Sequence, residues 1–281
     1  MSTSLDSIRE RLLIVAKEKK LAFQDLLNRY GAEQFLSRLS SSPFLEQFIF
    51  KGGSLLTYLI ETDRQTRDLD FTIRRISNRV EEALEVIQKI LNIKMDDGLT
   101  WHTPDGAPLN HPGMDYPGVR IKCLFVLGKA RGLVRMDLAL GDVVKPRKIS
   151  LQRIQYRGKP LIGVDFHVLA YPPESIFAEK LQIAIKRGEQ NTRMKDYYDL
   201  YKLVKSAKLN PSILKQCIDK TFEKRTTDLN RTFWLGEDAF EKLQIIWSAY
   251  IKKIKIGDAP KELREIVNMV NQQLKAIYND E

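Results

Sequence analysis

The sequence predicts an α+β protein in which a small mixed or antiparallel sheet with flanking helices is followed by a C-terminal helical bundle. Residues 68–73, 119–127 and 133–140 alternate apolar and polar side chains, which is typical of half-buried strands. Glycine and proline are concentrated in residues 96–118, and this density indicates loops or a hairpin turn. After residue 173 the spacing of apolar residues is helical throughout.

The N-terminal part of the chain is predicted to be mainly helical. Residues 5–30 repeat apolar side chains at three- and four-residue steps among charges, which predicts one amphipathic helix. A second helix is predicted over residues 32–39 and ends near Pro43. Residues 48–50 read as a short apolar strand or helix end, and another helix begins within residues 55–60.

The middle of the chain adds a helix and more strands. Residues 79–91 predict an amphipathic helix, residues 128–132 a turn between two strands, and residues 161–164 a further short strand. The change to helix places a domain boundary, so that residues 1–168 form an α/β domain and residues 169–281 a helical domain. The predicted helices of the second domain cover residues 174–187, 195–204, 211–222, 239–254 and 261–278.

The composition favours a globular protein with an anionic partner. The chain has 281 residues, a net charge of +10 and a pI of about 9.4, which suits RNA, DNA or a nucleotide, or equally a basic solvated surface. Two cysteines far apart fit a reducing cytoplasm better than a disulfide framework. No apolar run is long enough to span a bilayer, so a cytoplasmic location without membrane contact is expected.

Residues 51–71 contain the most informative pattern. Gly53 and Ser54 form a small-residue turn ahead of a short helix, and such a turn offers backbone N–H groups to a phosphate. Asp68 and Asp70 follow on one strand, and residues i and i+2 of a strand point to the same face. Two neighbouring carboxylates suit Mg²⁺, which also binds substrate phosphates. The order of these parts indicates metal-dependent chemistry on a nucleoside triphosphate.

Asp137 is a candidate third carboxylate. It lies in the apolar stretch LVRMDLAL, where a charge is costly to bury without a partner. On an adjacent strand it would complete a site for one or two Mg²⁺ ions, or accept the proton of an attacking hydroxyl. The alternative is an exposed strand face that Asp137 shares with Arg135 and Ala139.

Residues 174–200 carry a second group of charges. Lys180 and Arg187 are seven residues apart and therefore lie on nearly the same face of a helix, where two cations suit a triphosphate. Asp196 and Asp199 share a face of the next helix. One alternative is that Asp196 is the N-cap of that helix. The other is that Asp196 or Asp199 pairs with Lys180 or Arg187 and fixes the position of that cation.

The C-terminal helices combine cations with aromatic residues. They form either a face that binds the RNA backbone or an ordinary solvated bundle with aromatic core anchors. The residues concerned are Lys215, Lys220, Lys224, Arg225, Arg231, Lys252, Lys253, Lys255, Lys261 and Arg264, with Phe233, Trp234 and Trp247 between them.

Four stretches in order resemble a known family. They are KGGSLL, RQTRDLDF, EKLQIAIKR and RMKDYYDLY, and they span roughly residues 50–201. They resemble the DNA polymerase-β-like nucleotidyltransferase superfamily and, more narrowly, the AbiEii/AbiGii and MenT-type toxins of bacterial abortive-infection and toxin–antitoxin systems. The resemblance does not extend convincingly over the last eighty or so residues.

The resemblance implies an Mg²⁺-dependent transfer of a nucleotide from an NTP to an acceptor, for which some members use the 3′ end of tRNA. Ser54 and the adjacent backbone would then hold the phosphates, and Asp68 and Asp70 the Mg²⁺. Lys180 would contact the triphosphate with Asp199 beside it. A third carboxylate is less sharply marked in the family. A separately encoded antitoxin is expected, which need not bind the toxin.

Three other functions remain open at this point. The acceptor is a small molecule, as in antibiotic-modifying nucleotidyltransferases, or the chain is a catalytically silent nucleotide- or RNA-binding module. A metal-dependent nuclease would use the same carboxylates but would have no need of the Gly-Ser phosphate site. The sequence does not decide among acceptors.

Overall fold

A computed structural model describes residues 5–60, 66, 68–77, 79–109, 118–140, 144–229, 233, 235–254 and 257–278. The chain divides into two compact units, the first made of Met1–Leu55 with Thr66–Ala170 and the second of Leu56–Gln65 with Tyr171–Glu281. The predicted α+β class is confirmed. That residues 1–168 and 169–281 are separate domains stays a prediction.

The first unit contains a sheet with helices beside it. Its helices are α1 (Leu5–Glu18), α2 (Phe23–Ser40), the start of α3 (Gly52–Leu59) and α4 (Val80–Leu91). Its strands are β1 (Phe48–Lys51), β2 (Asp68–Ile73), β3 (Leu99–Trp101), β4 (Asp105–Leu109), β5 (Gly118–Leu127), β6 (Ala130–Leu140), β7 (Arg147–Leu151), β8 (Gln155–Tyr156), β9 (Lys159–Pro160) and β10 (Phe166–Ala170).

Three local predictions were wrong. The helix predicted over residues 5–30 is two helices, because the chain turns between Glu18 and Phe23 and Lys20 adopts a φ of 53°. The predicted helix over residues 32–39 is the second half of α2. Residues 161–164 form bends rather than a strand, and the strand follows as β10.

Over the described residues the main sheet has eight strands, and most pairs are antiparallel. The strand order is β3-β5-β6-β2-β1-β10-β7, with β4 also paired to β5. Two pairs, β1 with β10 and β2 with β6, are parallel. The two parallel pairs bring segments that are distant in sequence next to β1 and β2 at the centre of the sheet.

Helix α2 packs on one face of this sheet. Phe71 of β2 lies at 6.3 Å, centroid to centroid, from Phe35 of α2. The ring of Phe125 lies where Cβ atoms on Gly31 and Gly132 would come within 2.2 Å and 2.1 Å of it. The close approach of α2 to β5 and β6 therefore depends on small residues.

A buried polar network joins α2 to the segment after β7. The backbone N–H of Ile154 donates a 2.7 Å hydrogen bond to the carboxylate of Glu33, and Arg153 donates to Gln34 and Ser37 at 3.2 Å and 2.7 Å. Burial raises the pKa of Glu33 from 4.5 to about 7, although the Ile154 N–H and Arg153 oppose the increase. Glu33 therefore binds its proton more tightly in the folded protein.

This pKa shift makes stability depend on pH. Between pH 4.5 and about 7 the folded state holds a proton on Glu33 that the unfolded state has released. The proton on Glu33 stabilises the folded state fully below pH 4.5, and this stabilisation is lost as the pH rises through 7. The loss amounts to about 3 kcal/mol in the free energy of unfolding. Between pH 5 and pH 8, we expect the free energy of unfolding measured in urea to fall in wild type by about this amount more than it falls in Glu33→Gln. Equal pH dependence of the two proteins would contradict the assignment.

The second unit contains the remaining helices. They are α5 (Pro173–Arg187), α6 (Met194–Ser206), α7 (Pro211–Lys224), α8 (Glu237–Ile254) and α9 (Leu263–Tyr278). Phe233 and Trp247 are buried, which supports aromatic core anchors over an aromatic binding face. Trp234 lies outside the described residues. In the part of the chain that the structure describes, no helix has the length and apolar character that a bilayer span requires.

Candidate active site

A row of four charged residues crosses the sheet of the first unit. Strand register pairs Lys51 of β1 with Asp70 of β2, Asp70 with Asp137 of β6, and Asp137 with Arg120 of β5. Adjacent strands are about 4.8 Å apart, so the two carboxylates are near neighbours with one cation on each side. The structure thus places Asp137 on the strand adjacent to Asp70, as the sequence predicts.

Asp68 and Asp70 lie on the same face of β2. Both are half-buried, whereas Leu69 and Phe71 between and after them are buried on the opposite face. Asp68 is in register with Arg135 of β6. The alternation of β2 therefore separates a core face from a face with two carboxylates two residues apart.

The glycine turn brings the start of α3 against Asp70. Gly52 has a φ of +74°, and a Cβ atom there would lie 2.1 Å from Oδ2 of Asp70. Gly52, Gly53 and Ser54 form the first turn of α3, and Ser54 is buried. The first N–H groups of a helix have no partner within it, so this turn offers donors to an anion beside the Asp70 carboxylate.

Asp137 is held by an arginine that the sequence analysis missed. Arg120 Nε donates to Oδ1 of Asp137 at 2.8 Å, and Nη2 donates to Oδ2 at 2.7 Å. A hairpin that turns at Gly128 and Lys129 pairs residues whose numbers add to 257, and 120 with 137 satisfy this rule. Counting the register along the predicted hairpin would therefore have identified Arg120 as the residue opposite Asp137.

A second charged cluster lies in the second unit. Lys180 Nζ of α5 lies 3.0 Å from Oδ1 of Asp196 and 2.6 Å from Oδ2 of Asp199, and all three side chains are at most 10% exposed. Arg193 Nε lies 2.9 Å from Oδ2 of Asp196. Burial by itself raises the pKa of Asp196, but Lys180 and Arg193 outweigh it and hold this pKa below its usual value. The carboxylate of Asp196 is therefore charged at neutral pH.

Two of the predictions for these helices can be compared with the cluster. The N-cap position of α6 is occupied by Arg193, so Asp196 does not cap the helix and instead pairs with Lys180. Arg187 lies in the last turn of α5 and is exposed. Among the described residues it makes no ion pair, so the structure does not bring Arg187 into the cluster.

The donor set on β2 is suited to a hard cation. Two carboxylates on one strand face match the way Mg²⁺ binds, with few protein ligands and the rest from phosphates and water. Within the described ranges, no three His, Cys, Asp or Glu side chains are grouped to hold a metal ion. Asp68 and Asp70 fit a site that substrate completes.

Comparison with known proteins identifies the family. A sequence model of the family described as "Nucleotidyl transferase AbiEii toxin, Type IV TA system" matches residues 34–269. The chain belongs to the AbiEii nucleotidyltransferase toxin family. The match continues well past residue 201, so the family relationship covers most of the C-terminal helices that the sequence motifs left out. No curated protein shows significant similarity to the chain.

Solved structures share the fold with this AbiEii family member. A crystal structure of a nucleotidyltransferase from H. pylori, described there as putative, has 15% identity and a TM-score of 0.52, covering 92% of this chain and 97% of the other. JHP933 from Helicobacter pylori has 17% identity and a TM-score of 0.53, with 92% and 94% covered. MenT4, a nucleotidyltransferase toxin from Mycobacterium tuberculosis H37Rv, has 13% identity and a TM-score of 0.54, with 98% and 99% covered. At these identities the likeness concerns the fold.

Proposed function

We propose that this AbiEii family toxin is an Mg²⁺-dependent nucleotidyltransferase that transfers a nucleotide from an NTP to RNA, at the 3′ end of tRNA. The observation that supports this most is the Asp70 carboxylate, which lies against Gly52 at the start of α3 and on the same strand face as Asp68. A cation site and a phosphate-binding helix start are therefore side by side in one unit.

Different residues of the first unit bind the metal ion and the phosphates. Asp68 and Asp70 hold Mg²⁺, which neutralises charge on the phosphates when bound. The first-turn N–H groups at Gly53 and Ser54 bind phosphate oxygens and so orient the α-phosphate toward an acceptor hydroxyl. The hydroxyl oxygen forms the new bond to the α-phosphorus, its proton passes to a base, and pyrophosphate leaves.

The predicted roles of the second-unit residues are carried by the family resemblance. We propose that Lys180 contacts the triphosphate and that Asp199, with Asp196, holds its ammonium in place. A lysine fixed by two carboxylates loses little conformational freedom when it binds an anion. Arg187, exposed at the end of α5, stays a predicted phosphate contact.

An RNA acceptor and a cytoplasmic location are supported by charge and family. The net charge of +10 favours a polyanionic partner. The family description places these toxins in type IV toxin–antitoxin systems, so we propose a cognate antitoxin that need not contact the toxin. Action on tRNA requires the compartment where tRNA is found, which is the cytoplasm.

Labelled NTPs test this function directly. The protein is incubated with each of the four α-labelled NTPs, total tRNA and Mg²⁺, and RNA is resolved on a denaturing gel. We expect label in lengthened tRNA for at least one NTP, with loss on chelation and in Asp70→Ala. Asp105→Ala, an exposed carboxylate of the same unit, is the matched control and should keep activity.

The other functions give different products. Label in a small-molecule fraction instead of RNA would identify a small-molecule nucleotidyltransferase, and shortened RNA would identify a nuclease. A silent binding module would bind nucleotide equally well in the wild type and in Asp68→Ala and Asp70→Ala, with no product. Any of these results would replace the proposal.

A further inference from the structure

Arg120 is a charged residue beside the proposed cation site that the function above does not use. Both oxygens of Asp137 accept hydrogen bonds from its guanidinium, at 2.8 Å and 2.7 Å. This two-point geometry is the strongest that an arginine makes with a carboxylate. The Asp137 side chain is only 15% exposed, so little water competes for its oxygens.

The charge on Arg120 is permanent. The hydrogen bonds to Asp137 raise the pKa of Arg120, and the charges of Asp137, Asp68 and Asp70 raise it further. Arginine does not lose its proton in proteins, so the guanidinium stays cationic at any working pH. Since all three carboxylates act on it, Arg120 lies within the electrostatic field of the whole site.

A divalent ion and Arg120 compete for the same oxygens. A metal ligated by Asp137 can use only the lone pairs that Arg120 leaves, and it would lie within a few ångströms of a fixed positive charge. The register neighbours of Asp70 are Lys51 and Asp137, and Asp68 is in register with Arg135. The proposed function assigns the ion to these two carboxylates of β2, and the two-point contact with Arg120 holds the third.

We propose that Arg120 takes the place of a second metal ion, so that Asp137 holds a guanidinium and the site binds one divalent ion, at Asp68 and Asp70. The inference rests on the proposed function, because it concerns the same site. Arg120 is a positioning residue that supplies constant positive charge beside the bound phosphates. Its side chain is 40% exposed and so reaches solvent.

Mn²⁺ binding, followed by the loss of the free-ion EPR signal, tests the inference without turnover. Wild type and Asp137→Asn should each bind one ion, with dissociation constants within about threefold of each other. Arg120→Met should bind a second ion or bind the first about tenfold more tightly, because a full charge is removed beside the site. Arg120→Met with Asp137→Asn should return to one ion.

Lys122→Met is the matched control. Lys122 is on the same strand and face as Arg120, but its register partners are Arg135 on β6 and Asp105 on β4, so removing it frees no carboxylate of the proposed cation site. We expect one ion and a change in affinity below about threefold. Two ions in wild type, loss of an ion in Asp137→Asn, or an Arg120→Met that binds like wild type would each overturn the inference.

The design separates this inference from the proposed function. Asp70→Asn should abolish Mn²⁺ binding, and a wild type that binds no better than Asp70→Asn would overturn both. One ion in wild type without nucleotide transfer would contradict only the function. Circular dichroism confirms folding of each variant, and the Asp137→Asn result decides the question if Arg120→Met does not fold.

Discussion

Gly52→Ala should lower the rate of nucleotide transfer by a factor of about 100 or more. The new methyl group would lie 2.1 Å from Oδ2 of Asp70, well inside contact distance, so the carboxylate must move. A displacement of about 1 Å in a catalytic arrangement costs rate on this scale. The measurement is label transfer to RNA at saturating Mg²⁺, together with Mn²⁺ affinity, which should also weaken.

Gly158→Ala is the matched control for Gly52→Ala. Both glycines have a φ of +74°, so alanine carries the same backbone strain at both positions, but a Cβ atom on Gly158 meets nothing within 4 Å. The control should lose only about 1 kcal/mol of stability and keep its transfer rate. Equal activity in the two variants would show that the Gly52–Asp70 contact does not position the carboxylate.

Lys180→Met should lower the free energy of unfolding by about 3–5 kcal/mol. It leaves two aspartates, 1% and 3% exposed, without the ammonium that lies 3.0 Å and 2.6 Å from them. Removing one member of a buried ion pair costs more than the pair contributes, because the remaining buried carboxylates lose the compensation that the ammonium gives them. Urea unfolding at pH 7 measures the effect.

The control for Lys180→Met lies on the same helix. Lys186→Met removes an exposed lysine of α5 and should change the unfolding free energy by less than about 0.5 kcal/mol. Adding Asp199→Asn to Lys180→Met should recover part of the loss, since one buried charge is removed. A stability loss no greater than that of Lys186→Met would mean that water replaces the ammonium.

The sequence predicted the parts of the site that depend on local geometry. Asp68 and Asp70 follow from strand alternation alone, and the structure has them on one face of β2. The Lys180 pairing was one of two alternatives, and the structure selected it through the packing of α5 against α6. The roles of these residues in catalysis stay predictions.

The features that sequence reasoning missed depend on contacts between distant segments or on rare backbone geometry. In the sequence, Arg120 is an ordinary polar residue of an alternating strand. Only the register of the hairpin shows that it lies opposite Asp137. The break in the N-terminal helix occurs at Lys20, a non-glycine residue with positive φ, and no local pattern marks such a residue. Strands β3 and β4 were not predicted because they are short and lie in a breaker-rich stretch.

The parallel pairing of β2 with β6 also has a consequence for the order of events during synthesis. Asp70 and Asp137 are adjacent in the sheet but lie far apart along the chain. A ribosome must therefore release the whole β5–β6 hairpin before the charged row can assemble, and closing so long a loop is slow compared with forming the local helices. The charged row can therefore form only after most of the first unit has been synthesised.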